Sequence, residues 1–393
     1  MHLRGAPLPM SRAVRRSLAA SLVALLAAGL FVVPGWLQGL SLVVRAAGMQ
    51  GRVETALADW RTGPFDVSDV QVPTRHGPVR ARLYRPVTQR GRTVVLTSGV
   101  HANGIDEPRL MKLAEDLAMG GQAVLTPEPP DLLRYEITPR LPDIIEDAAV
   151  WAASQSDLAP DGKVNLFGIS FSGGLSVVAA GRPALQDRVA ATLSFGGHGD
   201  LPRVLTFLCS GELPDGSHLA PHDYGVVIIL LNVAEKLVPP EQVEPLRAGI
   251  RTFLRASHQA MVDGRLAAET FAKARDLQTE LPEPAATLMG YVNTRDVAAL
   301  GPRLLPFVKT FAADPALSPE RSPPPTAPVF LLHGAGDTVI PAMESSRLTG
   351  ALLPHTEVHA LATPLITHAE MDGPQALMDV LRLVRFWADL LDA

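Results

Sequence analysis

A serine with a glycine two residues before it stands where an apolar run stops, in the stretch VNLFGISFSGGLSVV, residues 164–178. A serine hydroxyl becomes a competent nucleophile only when a neighbouring base takes its proton, and a sharp turn between strand and helix holds such a hydroxyl exposed. The pattern G-x-S-x-G fits in two registers here. Centred on Ser170, it has Gly168 behind and Ser172 ahead. Centred on Ser172, it has Ser170 behind and Gly174 ahead. The apolar run ends at Phe167 and Gly168, which puts the turn on Ser170, and the glycine falls where strand and helix pass closest. Ser172 then occupies the forward small position. Without other groups the stretch reads equally well as a glycine-rich turn with a capping serine.

Two residues far downstream supply the missing chemistry. Asp337, in VFLLHGAGDTVIP, follows an apolar run and a turn of small residues. His368, in PLITHAEMDG, lies in a loop beyond the next apolar segment. An imidazole takes the serine proton and returns it to the leaving group, and a carboxylate fixes the imidazole's tautomer and stabilises the imidazolium. Asp200, in FGGHGDL, is the competing acid, but its place directly after a strand fits less well than that of Asp337 ahead of the His368 loop. His333, His355 and His359 sit in or beside strands and read as structural. His101, His198, His218 and His222 show no metal-ligand spacing, and no cofactor is expected. The tetrahedral intermediate needs two backbone donors. These are expected from Phe171, after the nucleophile, and from Val100 in the TSGVHANG loop, where Gly99 lets the backbone approach.

The elements that must carry these groups alternate. FDVSDVQVPT, GPVRARLYRP, RTVVLTSG, QAVLT, KVNLFGIS and RVAATLSFGG read as strands. RLMKLAEDLAMGG and DIIEDAAVWAAS, interleaved with them, read as helices. Such alternation predicts a mostly parallel sheet flanked by helices. From about Leu201 to Pro325 the pattern turns helical, and after a proline-rich connector APVFLLHGAGD and TEVHALA restore strands before a final amphipathic helix. A helical block inserted into a strand–helix alternation predicts a lid.

The chain has 393 residues, with 35 basic against 40 acidic, so no basic excess suggests a nucleic-acid partner. A single cysteine, Cys209, rules out a disulfide framework and a cysteine zinc site within one chain, and its apolar setting reads as a buried small hydrophobe. Arg4, Arg12, Arg15 and Arg16 precede an uncharged stretch from Ser17 to Val44, longer than the ~20 residues a bilayer requires. Pro34 divides it, which predicts a spanning helix mainly over 17–33 and an interfacial segment around Trp36. The positive-inside rule then places everything after residue 45 outside the cytoplasm. The alternatives are a cleaved signal, with Ala46, Ala47 and Gly48 as the cleavage region and a secreted product, and a buried soluble helix.

The chain from about Phe65 onward resembles the α/β-hydrolase superfamily of serine esterases and lipases. The resemblance is carried in order by the TSGVHANG segment, VNLFGISFSGGLSVVAAG and PVFLLHGAGDTVIPAMESSRL. It implies Ser170 as nucleophile, Asp337 as acid, His368 as base, and the amides of Val100 and Phe171 as oxyanion donors. Ser98 and Gly99 replace the usual His-Gly after the third strand, and Ser172 replaces the elbow's second glycine. The implied organisation is a basic tail (1–16), a transmembrane anchor or uncleaved signal (17–45), a hydrolase core in two parts (64–200 and 327–393), and a helical lid (201–326). The expected activity is hydrolysis of small or lipid-like carboxylic esters at a membrane. Amide or thioester hydrolysis is the alternative on the same triad, and a non-catalytic tethered scaffold the alternative outside enzymes.

Overall fold

Thr93–Thr97 and Val164–Ile169 carry apolar side chains on both faces, a pattern that suits a strand covered by helices on each side. In the computed structural model, which describes residues 34–47, 52–260, 262–366 and 374–393, these are the central strands β3 and β5. They belong to an eight-stranded sheet ordered β1-β2-β4-β3-β5-β6-β7-β8. The other strands are β1 (Phe65–Val72), β2 (Val79–Pro86), β4 (Val124–Pro127), β6 (Val189–Phe195), β7 (Val329–Gly334) and β8 (Val358–Thr363). Pairing is antiparallel on both sides of β2 and parallel from β4 to β8, so β2 alone runs against the rest. This strand order, with helices on both faces, is the α/β-hydrolase fold.

One face packs against α5 (Arg140–Ser154) and α6 (Phe171–Ala180), and the other against α3 (Pro108–Met119) and α14 (Pro374–Asp392). Helices α7 (Leu201–Ser210), α8 (Asp223–Val233), α9 (Pro240–Gln259), α10 (Gly264–Glu280), α11 (Ala285–Asn293) and α12 (Val297–Phe311) fall between β6 and β7. Their apolar faces close on one another through residues such as Phe207, Ile229, Leu246 and Leu304, all buried. After β3 the chain steps to one side to form β4, then returns past β3 to form β5. Such a switch opens a crevice at the carboxyl ends of the strands, where ligands bind in open α/β sheets. The loop after β3 and the turn after β5 both reach this crevice, and Thr97 of β3 pairs level with Gly168 of β5.

The N-terminal expectation requires a correction. Residues 17–33 of the expected anchor lie outside the described residues. Residues 34–46 form a helix, α1, seated on the hydrolase core rather than free for lipid. Leu42 and Val44 are buried, and Leu42 joins the cluster of Leu110, Leu117 and Trp387. Gly39 lies so close to α14 that a Cβ there would come within 2.5 Å of the Val384 carbonyl oxygen. Arg45 donates to the carbonyls of Ala58 and Asp116, both at 2.8 Å, and pairs with the buried Asp116 carboxylate at 3.3 Å. A segment with small residues and one basic end docks on a protein face as readily as it enters a bilayer, and hydropathy alone does not separate the two. No helix among the described residues is long and apolar enough to cross a membrane.

Candidate active site

Ser170 ends β5 and opens α6 with φ 54° and ψ −130°, a conformation costly for a residue bearing a Cβ. It is held by its amide, which donates to the Phe195 carbonyl at 2.6 Å, and by its own carbonyl, which accepts from Gly173 at 2.8 Å. The elbow is tight for the reason the sequence suggests. A Cβ on Gly168 would stand 2.1 Å from the Ser172 carbonyl oxygen and 2.5 Å from Ser176 Oγ. The two serines differ in burial. Ser172 is wholly inaccessible inside α6, and its hydroxyl finds no partner among the described residues. Ser170 is partly exposed and lines a cavity of about 90 Å³.

The two amides expected to bind an oxyanion flank that cavity. Phe171 is the first residue of α6, so its N–H has no intrahelical acceptor. The Val100 N–H meets no acceptor among the described residues. Gly99 brings the loop against the nucleophile: a Cβ there would lie 3.2 Å from Ser170 Cβ. His198 supports Phe171 from beneath, with the rings 5.0 Å apart and 7° from parallel. Its Nε2 donates to the Leu317 carbonyl at 2.8 Å, and complete burial depresses its pKa, so it is a neutral prop.

Asp337 stands past the end of β7, across β6 from Ser170. Its Oδ1 accepts from the amides of Val339 at 2.8 Å and Ile340 at 3.0 Å. Its Oδ2 faces Gly196, where a Cβ would be 3.7 Å away, and takes no hydrogen bond from the described residues. His333 Nε2 is 3.7 Å from that oxygen but donates instead to the Ile340 carbonyl at 2.7 Å. Burial depresses the His333 pKa, which fits a neutral structural ring. Asp200 is otherwise engaged: it caps α7 through the Arg203 amide at 2.9 Å and pairs with Arg321 at 2.6 Å. His359 stacks on Phe330 at 4.4 Å. Cys209 is buried, and its thiol is pushed up to about 12, outside the range of a nucleophile. His368 lies outside the described residues, and no described imidazole hydrogen-bonds Ser170 Oγ.

The cavity is apolar around this polar rim. Val204, Leu205 and Leu208 of α7, Ile228 of α8, Ile137 and Ile340 form its walls. A second group sits above the Val100 loop and escaped the sequence reading. His258 of α9 stacks on His101 at 3.8 Å and 20°. The Tyr135 hydroxyl lies 3.1 Å from His258 Nδ1, and Tyr224 of α8 donates its hydroxyl to the Val100 carbonyl at 3.2 Å. Tyr135 is itself held at φ 60°. The only sequence signal was His101 within the TSGVHANG loop, since Tyr224 and His258 come from helices more than 100 residues downstream and Tyr135 from a turn after α3 and β4.

No family model matches the sequence, and no curated protein matches it. Among solved structures, a Pyrobaculum calidifontis esterase is 16% identical over 92% of this chain and 93% of its own, with a TM-score of 0.43. Dienelactone hydrolase from Anabaena variabilis is 16% identical over 83% of this chain and 98% of its own, at 0.40. Pyrococcus horikoshii acylaminoacyl peptidase is 12% identical over 85% of this chain at 0.42, and this chain spans 42% of that protein. At such identities and superpositions they carry no argument about activity. The fold assignment rests on the sheet order and the elbow.

Proposed function

We propose that the protein is a serine hydrolase that cleaves carboxylic esters through an acyl-enzyme, with Ser170 as nucleophile, His368 as general base and Asp337 as its orienting acid. The observation that carries this reading is the strained, partly exposed Ser170 at the switch crevice, opening into an apolar cavity roofed by inserted helices. Ser170 Oγ attacks the ester carbonyl while His368 takes its proton. The oxyanion falls to the amides of Val100 and Phe171. His368 returns the proton to the departing alkoxide, and water activated by the same imidazole then releases the acid. The open Oδ2 of Asp337 supports its role as acceptor for the His368 ring N–H.

The apolar walls support an acyl group without charge. The same triad would serve amides or thioesters, but among the described residues no carboxylate, lysine or arginine lines the cavity, which favours the ester. In this reading residues 17–33 tether the chain to a membrane, with α1 joining the tether to the core and the catalytic domain outside the cytoplasm. The test is labelling by a fluorophosphonate probe together with hydrolysis of 4-nitrophenyl esters. Wild type and Ser172→Ala label, and Ser170→Ala does not. Labelling that survives in Ser170→Ala sinks the assignment.

A further inference from the structure

We propose that the lid sets the oxyanion hole, with Tyr224 as the positioning residue that fixes Val100; the inference rests on the serine-hydrolase reading above. The loop from Ser98 to Asn103 has to hold the Val100 amide toward Ser170 with little support of its own. Its internal bonds begin only at His101, whose carbonyl accepts from Gly104 at 3.0 Å and whose Nδ1 accepts from the Asn103 amide at 3.1 Å. Among the described residues the Val100 backbone makes a single hydrogen bond, and the Tyr224 hydroxyl supplies it at 3.2 Å. On the nucleophile side the loop already touches Ser170 at Gly99, so a restraint on its position has to come from the opposite side, where the lid lies.

The lid is built to supply it. Tyr224 packs edge-on to Tyr135, with ring centroids 6.3 Å apart, and 5.2 Å from His258, so its ring has little room to turn. His258 grips the next residue of the loop by stacking on His101. Further along α8, Asn232 donates to the Tyr135 carbonyl at 2.8 Å and accepts from the Ile137 amide at 3.0 Å, which registers the helix against the core. Two lid helices thus bear on one catalytic loop. Preorganised donors lower the transition state because they need no rearrangement as charge develops. A loop freed from Tyr224 would still bind the ground-state ester in the apolar cavity, but would meet the oxyanion poorly.

The test is Tyr224→Phe in the full chain, which keeps the ring and removes the hydroxyl. With 4-nitrophenyl butyrate, kcat is expected to fall about tenfold, short of the ~10²–10³ that follows loss of a whole oxyanion donor, with KM within about threefold. A butyl trifluoromethyl ketone forms a hemiketal oxyanion on the serine, so its Ki should rise by the factor by which kcat/KM falls. The melting temperature should stay near that of wild type. An unchanged kcat, or a fall in kcat with the ketone Ki unmoved, overturns the inference. Should Tyr224→Phe fail to fold, His258→Leu removes the second grip and must show the same selective loss of kcat. Hydrolysis that persists in Ser170→Ala overturns the catalytic reading and this inference with it. A Ser170-dependent enzyme indifferent to Tyr224 overturns this inference alone.

Discussion

Replacing His258 by Phe should make the protein less sensitive to acid while weakening it at neutral pH. His258 titrates at about 3 in the folded protein, lowered from the ordinary 6.5 first by burial, then by neighbouring His101 and Arg109, with Glu107 opposing. A histidine in the unfolded chain binds its proton near pH 6.5. Between about pH 6.5 and 3 the unfolded chain therefore holds close to one more proton at this residue than the folded one. Stability rises with pH wherever the unfolded state binds more protons, so this contribution is whole above pH 6.5 and is lost as pH falls toward 3. One proton corresponds to about 1.4 kcal/mol per pH unit, which amounts to roughly 2 kcal/mol between pH 6 and 4.5. Phe keeps a ring over His101 but removes the acceptor of the Tyr135 hydroxyl, an expected cost of about 1–3 kcal/mol at pH 7. Urea unfolding followed by tryptophan fluorescence from pH 4.5 to 7.5 measures both quantities. The difference in stability between wild type and variant should shrink by roughly 2 kcal/mol from pH 6 to 4.5. Two parallel pH profiles would mean that His258 does not stay neutral on folding, and the reasoning about the stacked pair would fail.

Other perturbations separate the parts of the site. Asp337→Asn should lower kcat by about 10⁴-fold through loss of the correct imidazole tautomer. Asp200→Asn should instead cost stability with kcat held within a few fold, because Asp200 caps α7 and pairs with Arg321; steady-state kinetics beside thermal melts distinguish them. Gly168→Ala should destabilise by at least ~1–3 kcal/mol, its Cβ being forced against Ser172. Gly350→Ala, on the open side of α13 (Met343–Leu352), should stabilise by about 0.4–1 kcal/mol in the same urea assay. Filling the cavity with Leu208→Trp should shift preference among 4-nitrophenyl esters from butyrate toward acetate, read as a ratio of kcat/KM values.

Much of the core was legible because its signals are local. The strands alternate with helices in short, strongly apolar runs, and Gly168 marks a backbone crossing that a side chain would block. Order along the chain ranked Asp337 over Asp200, and the proposed role of Asp337 is supported by their partners: among the described residues one carboxylate keeps an oxygen open while the other is engaged by a cap and an arginine. The N-terminal stretch misled from Pro34 onward because burial against α14 and burial in lipid select the same apolar composition. What distinguishes them is Arg45 meeting Asp116, a partner 71 residues away.

The proposed contribution of the inserted helices was illegible for a different reason. A tyrosine in DYGVVIILL reads as one more member of a hydrophobic helix, and burial does raise its hydroxyl's pKa well above the ordinary value. Its chemistry lies in a single bond to a backbone carbonyl, which leaves no mark on residue identity at the receiving end. The same holds for the proposed oxyanion amides, since every residue type but proline offers an N–H. A site built from side chains announces itself in composition and order, as the proposed Ser170, Asp337 and His368 do. A site built from backbone groups is specified by whatever holds the backbone still, and here those residues sit on the inserted helices. In the proposed reading the insertion has two tasks that constrain each other: its apolar faces shape the acyl cavity, and Tyr224 and His258 register the loop proposed to stabilise the transition state. Changes to the lid made to alter specificity should accordingly move kcat as well as KM whenever they disturb Tyr224 or His258, and leave kcat alone when confined to Leu205 or Leu208.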